Sequence, residues 1–128
     1  MPVNKVHDEF HAIDLENGWE DPPGYAPGSG VAQKIIAGGL DEVNRTGTRT
    51  RLLRFQPGAF STSTIVHDYW EEVYLLRGDL IVGNDAQGNG GRPFTGDTYA
   101  VRPPGAIHGP FKSATGCTLL EIHYYDPV

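Results

Sequence analysis

The chain has 128 residues, enough for one domain with a real core and too few for two. Sixteen acidic residues against ten Lys and Arg leave a formal charge of -6, which argues against nucleic acid and against a polybasic grip on anionic membrane. A single cysteine, Cys117, excludes an internal disulfide, and no apolar stretch reads as a leader or a span, so a soluble cytoplasmic protein is expected.

Seventeen Gly and ten Pro are scattered between short apolar runs, the punctuation of an all-β sandwich or barrel. Residues 1–30 read as an N-terminal arm: FHAIDL is a candidate strand, and GWEDPPGYAPGSG is a connection. Residues 31–128 read as the barrel. VAQKIIA (31–37) and TRTRLLRF (48–55) read as strands, as do AFSTSTIVH (59–67), EEVYLLR (71–77) and DLIVG (79–83). NDAQGNGG (84–91) is a loop, and TYAVR (98–102), IHGPF (107–111) and CTLLEIHYY (117–125) supply the last strands. Nine or so short strands without any sustained helical period point to a two-sheet jelly roll.

Two stretches carry chemistry. In VHDYWEEVYLLRGDL (66–80), His67 ends one expected strand and Glu71 begins the next, so a hairpin brings both to one side, and Gly78 closes the strand with a turn. In GDTYAVRPPGAIHGP (96–110), Pro103, Pro104 and Gly105 make a rigid turn at a barrel rim that fixes where His108 points. Alternation allows only one of Glu71 and Glu72 inside, and the spacing to Gly78 selects Glu71.

Over residues 48–125 the chain resembles the cupin superfamily, small single-domain proteins with motifs of the form G-x5-H-x-H-x3,4-E-x6-G and G-x5-P-x-G-x2-H-x3-N. His67, Glu71 and Gly78 match the latter half of the first motif; Pro103, Gly105 and His108 match the centre of the second. The PPGAIHGPF and GCTLLEIHYY stretches look most like cupins grouped with anti-sigma-factor-type and acetylacetone-cleaving relatives. The resemblance implies a double-stranded β-helix barrel with a divalent metal held by His67, Glu71 and His108. It departs from the pattern at Ile65, where the family's first His would stand, at Ala59, at Lys112 and in the placing of Gly96. The ligand set is thereby reduced to two His and one Glu, which suits non-haem iron(II) and also serves zinc, with Mn(II) a third candidate.

His123 shares a strand face with Cys117, Leu119 and Glu121. If that face is inward, His123 or Glu121 replaces the ligand missing at Ile65, or moves protons alongside Glu71 as a catalytic group; an outer-surface position is the equal alternative. His7 and His11 are expected in solvent, Tyr69 and Trp70 in hairpin packing, and Arg54, Arg77 and Arg102 at the surface unless one orients an anionic substrate. Ile65 is expected to face the interior as an apolar wall. The reading is a metal-dependent enzyme acting on a small organic substrate, most simply by Fe(II)-dependent oxidative cleavage. A non-redox lyase or isomerase and a non-catalytic binding cupin are the alternatives, and a homodimer paired through the arm is expected.

Overall fold

A computed structural model describes residues 3–127; Met1, Pro2 and Val128, at the ends of the expected arm and barrel, lie outside the described residues. Seven strands form in chain order: β1 (Val31–Asp41), β2 (Thr46–Phe55), β3 (Trp70–Val82), β4 (Arg92–Thr95), β5 (Thr98–Arg102), β6 (Phe111–Lys112) and β7 (Cys117–Tyr124). Every pairing is antiparallel.

One sheet runs β1-β2-β7-β3-β5, and the second is built on the far half of β3, which pairs with β4 and β6. β3 therefore serves both sheets and closes the jelly roll. EEVYLLR and DLIVG are parts of this one strand, and Gly78 lies inside it, not at a closing turn. The pairing with β7 slips between Leu75 and Arg77, and Gly78 follows with a φ of 83°. A Cβ there would collide with the Gly116 carbonyl, so only glycine lets the strand bend from one sheet into the other.

Alternation sets the core. Leu53 and Phe55 of β2, Val73 and Leu75 of β3, and Cys117 and Leu119 of β7 face inward and pack with Val31, Ala59, Leu80 and Phe111.

Three expected strands differ. FHAIDL forms no strand, and the arm instead lies against the sheet edge at its beginning, where Asn4 caps Gly39 and Thr48, and rejoins it through a bridge between Glu20 and Gln33. Residues 59–67 are irregular, with isolated bridges at Phe60–Lys112 and Ile65–His108 and scattered single backbone hydrogen bonds in place of a ladder. IHGPF likewise pairs only at His108 and from Phe111 onward. Their β-branched residues favour extended backbone, but each segment meets a partner at isolated points, so no ladder forms.

Candidate metal centre

The barrel holds a cavity of about 40 Å³, walled on its apolar side by Phe55, Ile65, Leu80, Phe111 and Leu119. The arm contributes to it through Pro23 and Tyr25, the latter edge-on to Phe55 at 5.9 Å.

Glu71 stands at the centre with its side chain 5 % exposed. Its place follows from register, because Glu71 of β3 pairs with Arg102 of β5 on one side and His123 of β7 on the other, while His123 pairs with Arg49 of β2. Inward-facing residues in one rung meet side by side. Arg102 Nη1 donates to Glu71 Oε1 at 2.8 Å, and His123 Nε2 lies 2.8 Å from Glu71 Oε2. Burial alone would raise the Glu71 carboxyl; the hydrogen bond from His123 leads the opposing effects and holds it well below the usual carboxylate range. Glu72, the next residue, faces outward and accepts hydrogen bonds from Tyr99 and Tyr124.

His67 and His108 reach Glu71 from two irregular segments tied together by backbone. Ile65 and His108 exchange hydrogen bonds of 2.7 and 2.9 Å, and Gly105 N–H donates to the His67 carbonyl at 2.9 Å. Pro103, Pro104, Gly105 and Ala106 form a turn closed by Ala106 N–H to the Pro103 carbonyl at 3.2 Å, with φ of 83° at Gly105, the position that demands it. The result is a separation of 3.6 Å from His67 Nε2 to Glu71 Oε2 and 3.6 Å from His108 Nε2 to Glu71 Oε1.

Protonation of the rings follows from their partners. His67 Nδ1 lies 3.1 Å from the Tyr69 carbonyl and His108 Nδ1 lies 3.0 Å from the Ala106 carbonyl. A carbonyl only accepts, so each Nδ1 carries a proton and each Nε2 is turned to the cavity, where in the neutral ring it presents a lone pair. Burial also lowers the His108 pKa, which keeps that ring neutral. His67 Nε2 is buried and has no hydrogen-bond partner, a position that costs about 1–3 kcal/mol when left unsatisfied. His67, Glu71 and His108 thus fit a divalent ion: two imidazole nitrogens and one carboxylate, with Nε2-to-carboxylate separations near the roughly 3.4 Å expected of tetrahedral ligands about 2.1 Å from zinc.

Glu71, Glu121 and His123 form a second, overlapping cluster. The β7 face carrying them is inward, with His123 fully buried. Arg49 Nε donates to His123 Nδ1 at 3.0 Å, so the His123 proton is on Nε2 and points at Glu71. Glu121 Oε1 is taken by Arg51, whose Nε and Nη2 lie at 2.8 and 2.6 Å. Burial opposes ionisation of Glu121, but the Arg51 charge holds its pKa below the ordinary value. This cluster has no bare nitrogen to offer.

Of the remaining expected residues, Ile65 lines the cavity, His7 and His11 are exposed on the arm, and Cys117 is buried. No hairpin exists for Tyr69 to pack; its ring is stacked on His67 at 3.9 Å and forms part of the cavity wall. Trp70 faces outward, stacked on Tyr124. Sequence reading missed Arg49, Arg51 and Gln33. The inward alternation of Leu53 and Phe55 extends back to Arg51 and Arg49, and that pattern was the available signal.

The ChrR cupin-like domain family matches residues 25–125, a span that holds all seven strands and His67, Glu71, His108, Glu121 and His123. The chain belongs to the cupins. Solved structures agree on the fold. An RmlC-like cupin from Shewanella frigidimarina is 17 % identical, with a TM-score of 0.64 over 96 % of this chain and 95 % of its own. An acetylacetone dioxygenase from Acinetobacter johnsonii is 18 % identical, with a TM-score of 0.61 over 94 % of this chain and 78 % of its own. A sugar phosphate isomerase from Silicibacter pomeroyi is 22 % identical, with a TM-score of 0.60 over 91 % and 77 %. No curated protein is similar to this cupin at a significant level. Among the described residues, no helix is long and apolar enough to cross a membrane.

Proposed function

We propose that this cupin is a metal-dependent enzyme acting on a small organic substrate, with His67, Glu71 and His108 holding a divalent ion, Fe(II) in preference to Zn(II) or Mn(II). The observation that carries the reading is the pair of bare imidazole nitrogens facing one buried carboxylate, one of them with no other partner. Two His and one carboxylate leave coordination positions open, the ligand set of non-haem iron oxygenases, so oxidative cleavage is the favoured reaction. Such an ion, when bound, supplies Lewis acidity and a redox partner for dioxygen.

The chain's own residues do the rest. Arg102 and His123 keep Glu71 ionised and oriented, while the Tyr69 and Ala106 carbonyls orient the two ligand rings. Ile65, Phe55 and Phe111 give the cavity a dry wall that strengthens electrostatic contacts inside it. Glu121 and His123, candidates for proton transfer, are proposed instead as supports: Glu121 is neutralised by Arg51, and His123 has both nitrogens engaged.

A second reading, a binding cupin without catalysis, is favoured by one feature: both Glu71 oxygens already accept hydrogen bonds within the chain. Metal analysis of untagged protein purified without chelator, followed by oxygen uptake on Fe(II)-loaded protein with candidate small substrates, separates the two. About one ion per chain, abolished by His108→Ala, supports the enzyme; no ion under Fe(II), Zn(II) or Mn(II) refutes it. The homodimer also stands as a proposal, supported by the arm's Val6 and Phe10, which stand exposed with nothing packed on them.

A further inference from the structure

The cavity at His67, Glu71 and His108 is about 40 Å³, room for an ion and little besides. A ligand of more than a few atoms must therefore place its body elsewhere in the barrel. A second space of about 210 Å³ lies beside the first, and the two share Val73, Leu80, Arg102 and Leu119 as walls. It sits inside the bend where β3 passes from one sheet to the other and β4 and β5 follow it. Leu80, Val82 and Phe94 line it from the second sheet, and Val73, Leu75 and Ala100 from the first. These are inward-facing positions of both sheets, so the space belongs to the barrel interior. Phe94, Thr98 and Ala100 form its half-buried margin, on strands that pair only with β3 among the described residues.

Interiors pack closely, and an apolar void of this size is a loss of stability that larger side chains would recover. The polar residues on it are already engaged. Thr98 Oγ1 donates to the Thr95 carbonyl at 2.7 Å, the Tyr99 hydroxyl donates to Glu72, and Arg102, on the wall shared with the metal cavity, donates to Glu71 at 2.8 Å. A hydroxyl brought in between Val82, Phe94 and Ala100 meets no free side-chain partner, while a hydrocarbon group leaves water for apolar contacts.

We infer that this space seats an uncharged hydrocarbon group of the barrel's ligand, a single aromatic ring or a branched aliphatic chain of about six to eight heavy atoms. The size follows from volume, since an apolar cavity of about 150 Å³ takes benzene and this one is somewhat larger. The inference goes beyond the metal reading and holds whether the barrel catalyses or only binds. Where the metal reading holds, the shared walls put this group beside the ion, which meets the ligand's other end.

The test titrates the full-length chain as purified with toluene and with phenol, two molecules of one shape that differ by a methyl against a hydroxyl. Calorimetry should find toluene at least about tenfold tighter. In methyl-labelled protein, toluene should shift the Val82 and Ala100 resonances and leave those of Leu120 and Ile122, in the groove on the outer face, in place. Ala100→Leu fills the space and should weaken toluene binding at least about tenfold without lowering Tm. Val82→Phe serves in its place if that variant does not fold. After loading with Mn(II), the ion should speed the relaxation of bound toluene protons. No toluene binding, equal affinity for the two molecules, shifts on the outer face only, or binding indifferent to Ala100→Leu overturns the inference. A loaded chain without that relaxation overturns the placement beside the ion. A chain that takes up no Mn(II) removes the metal reading, while the first titration still decides this inference.

Discussion

Replacing Arg51 by Met is the most informative single perturbation of the rung below the metal centre. Arg51 and Glu121 have side chains 7 % and 5 % exposed, and removing the guanidinium leaves the Glu121 carboxylate buried with only His123 beyond hydrogen-bond range at 3.5 Å. Breaking a buried pair from one side costs about 3–5 kcal/mol, a large share of the roughly 5–15 kcal/mol that holds a domain. For a chain of this length that corresponds to a fall in Tm of about 10–20 °C. Urea unfolding at pH 7 measures it directly. The double variant Arg51→Met, Glu121→Leu removes both charges and should recover at least about 2 kcal/mol. The pH dependence should invert as well. In the native chain Arg51 depresses the Glu121 pKa, so its stabilisation is present above the ordinary glutamate value and lost as pH falls through the lower folded one. Without Arg51, burial raises the carboxyl, and Arg51→Met should gain stability on acidification toward pH 5. A loss under about 1 kcal/mol, or a double variant no better than the single, would refute the reasoning.

Three further outcomes are expected. Asp79 accepts from Ser113 Oγ, the amides of Ala114 and Thr115 and the Thr115 hydroxyl, which against burial hold its carboxyl at about 2. Asp79→Ala should cost about 1–3 kcal/mol in thermal melts, and the gap to wild type should close as pH falls from 4 to about 2, where the carboxylate is protonated. Burial pushes the Cys117 thiol up to about 11, so a thiol reagent should label it on the unfolding timescale and not before; rapid labelling of folded protein would contradict its burial. Ile65→His should add a third imidazole at the cavity and tighten Zn(II) binding in a competition assay, because Ile65 already lines that space; unchanged affinity would show the residue points elsewhere.

The ligand turn was legible because Pro-Pro-Gly leaves the backbone few choices, and the histidine after it is placed by that geometry. The alternation along β7 was legible too, but not which side faced in. Leu120, Ile122 and Tyr124 make its outer face as apolar as the inner one, so pattern alone has no contrast. Gly78 read as a turn because glycine punctuates both turns and bulges; only the partner strand tells them apart. Arg49 and Arg51 were passed over because a charged residue in a strand normally faces water. What turns them inward is the long-range register with His123 and Glu121, 74 and 70 residues away, which no local pattern records.

Two overlapping ligand clusters share Glu71, and the sheet itself decides between them. On the β7 side both His123 nitrogens and the Glu121 Oε1 acceptor are already engaged through the rung: Arg49 fixes the tautomer of His123, which donates to Glu71, and Arg51 occupies Glu121 Oε1. On the opposite side the two histidines come from irregular loops whose backbones, not side chains, hold them in place. The bridge between Ile65 and His108 uses only N–H and carbonyl groups, so it is indifferent to the side chain at residue 65. The family's first histidine can therefore give way to Ile65 without moving His108. The cupin site loses one ligand and gains an apolar wall, while the geometry that presents His67, Glu71 and His108 to the cavity stays intact.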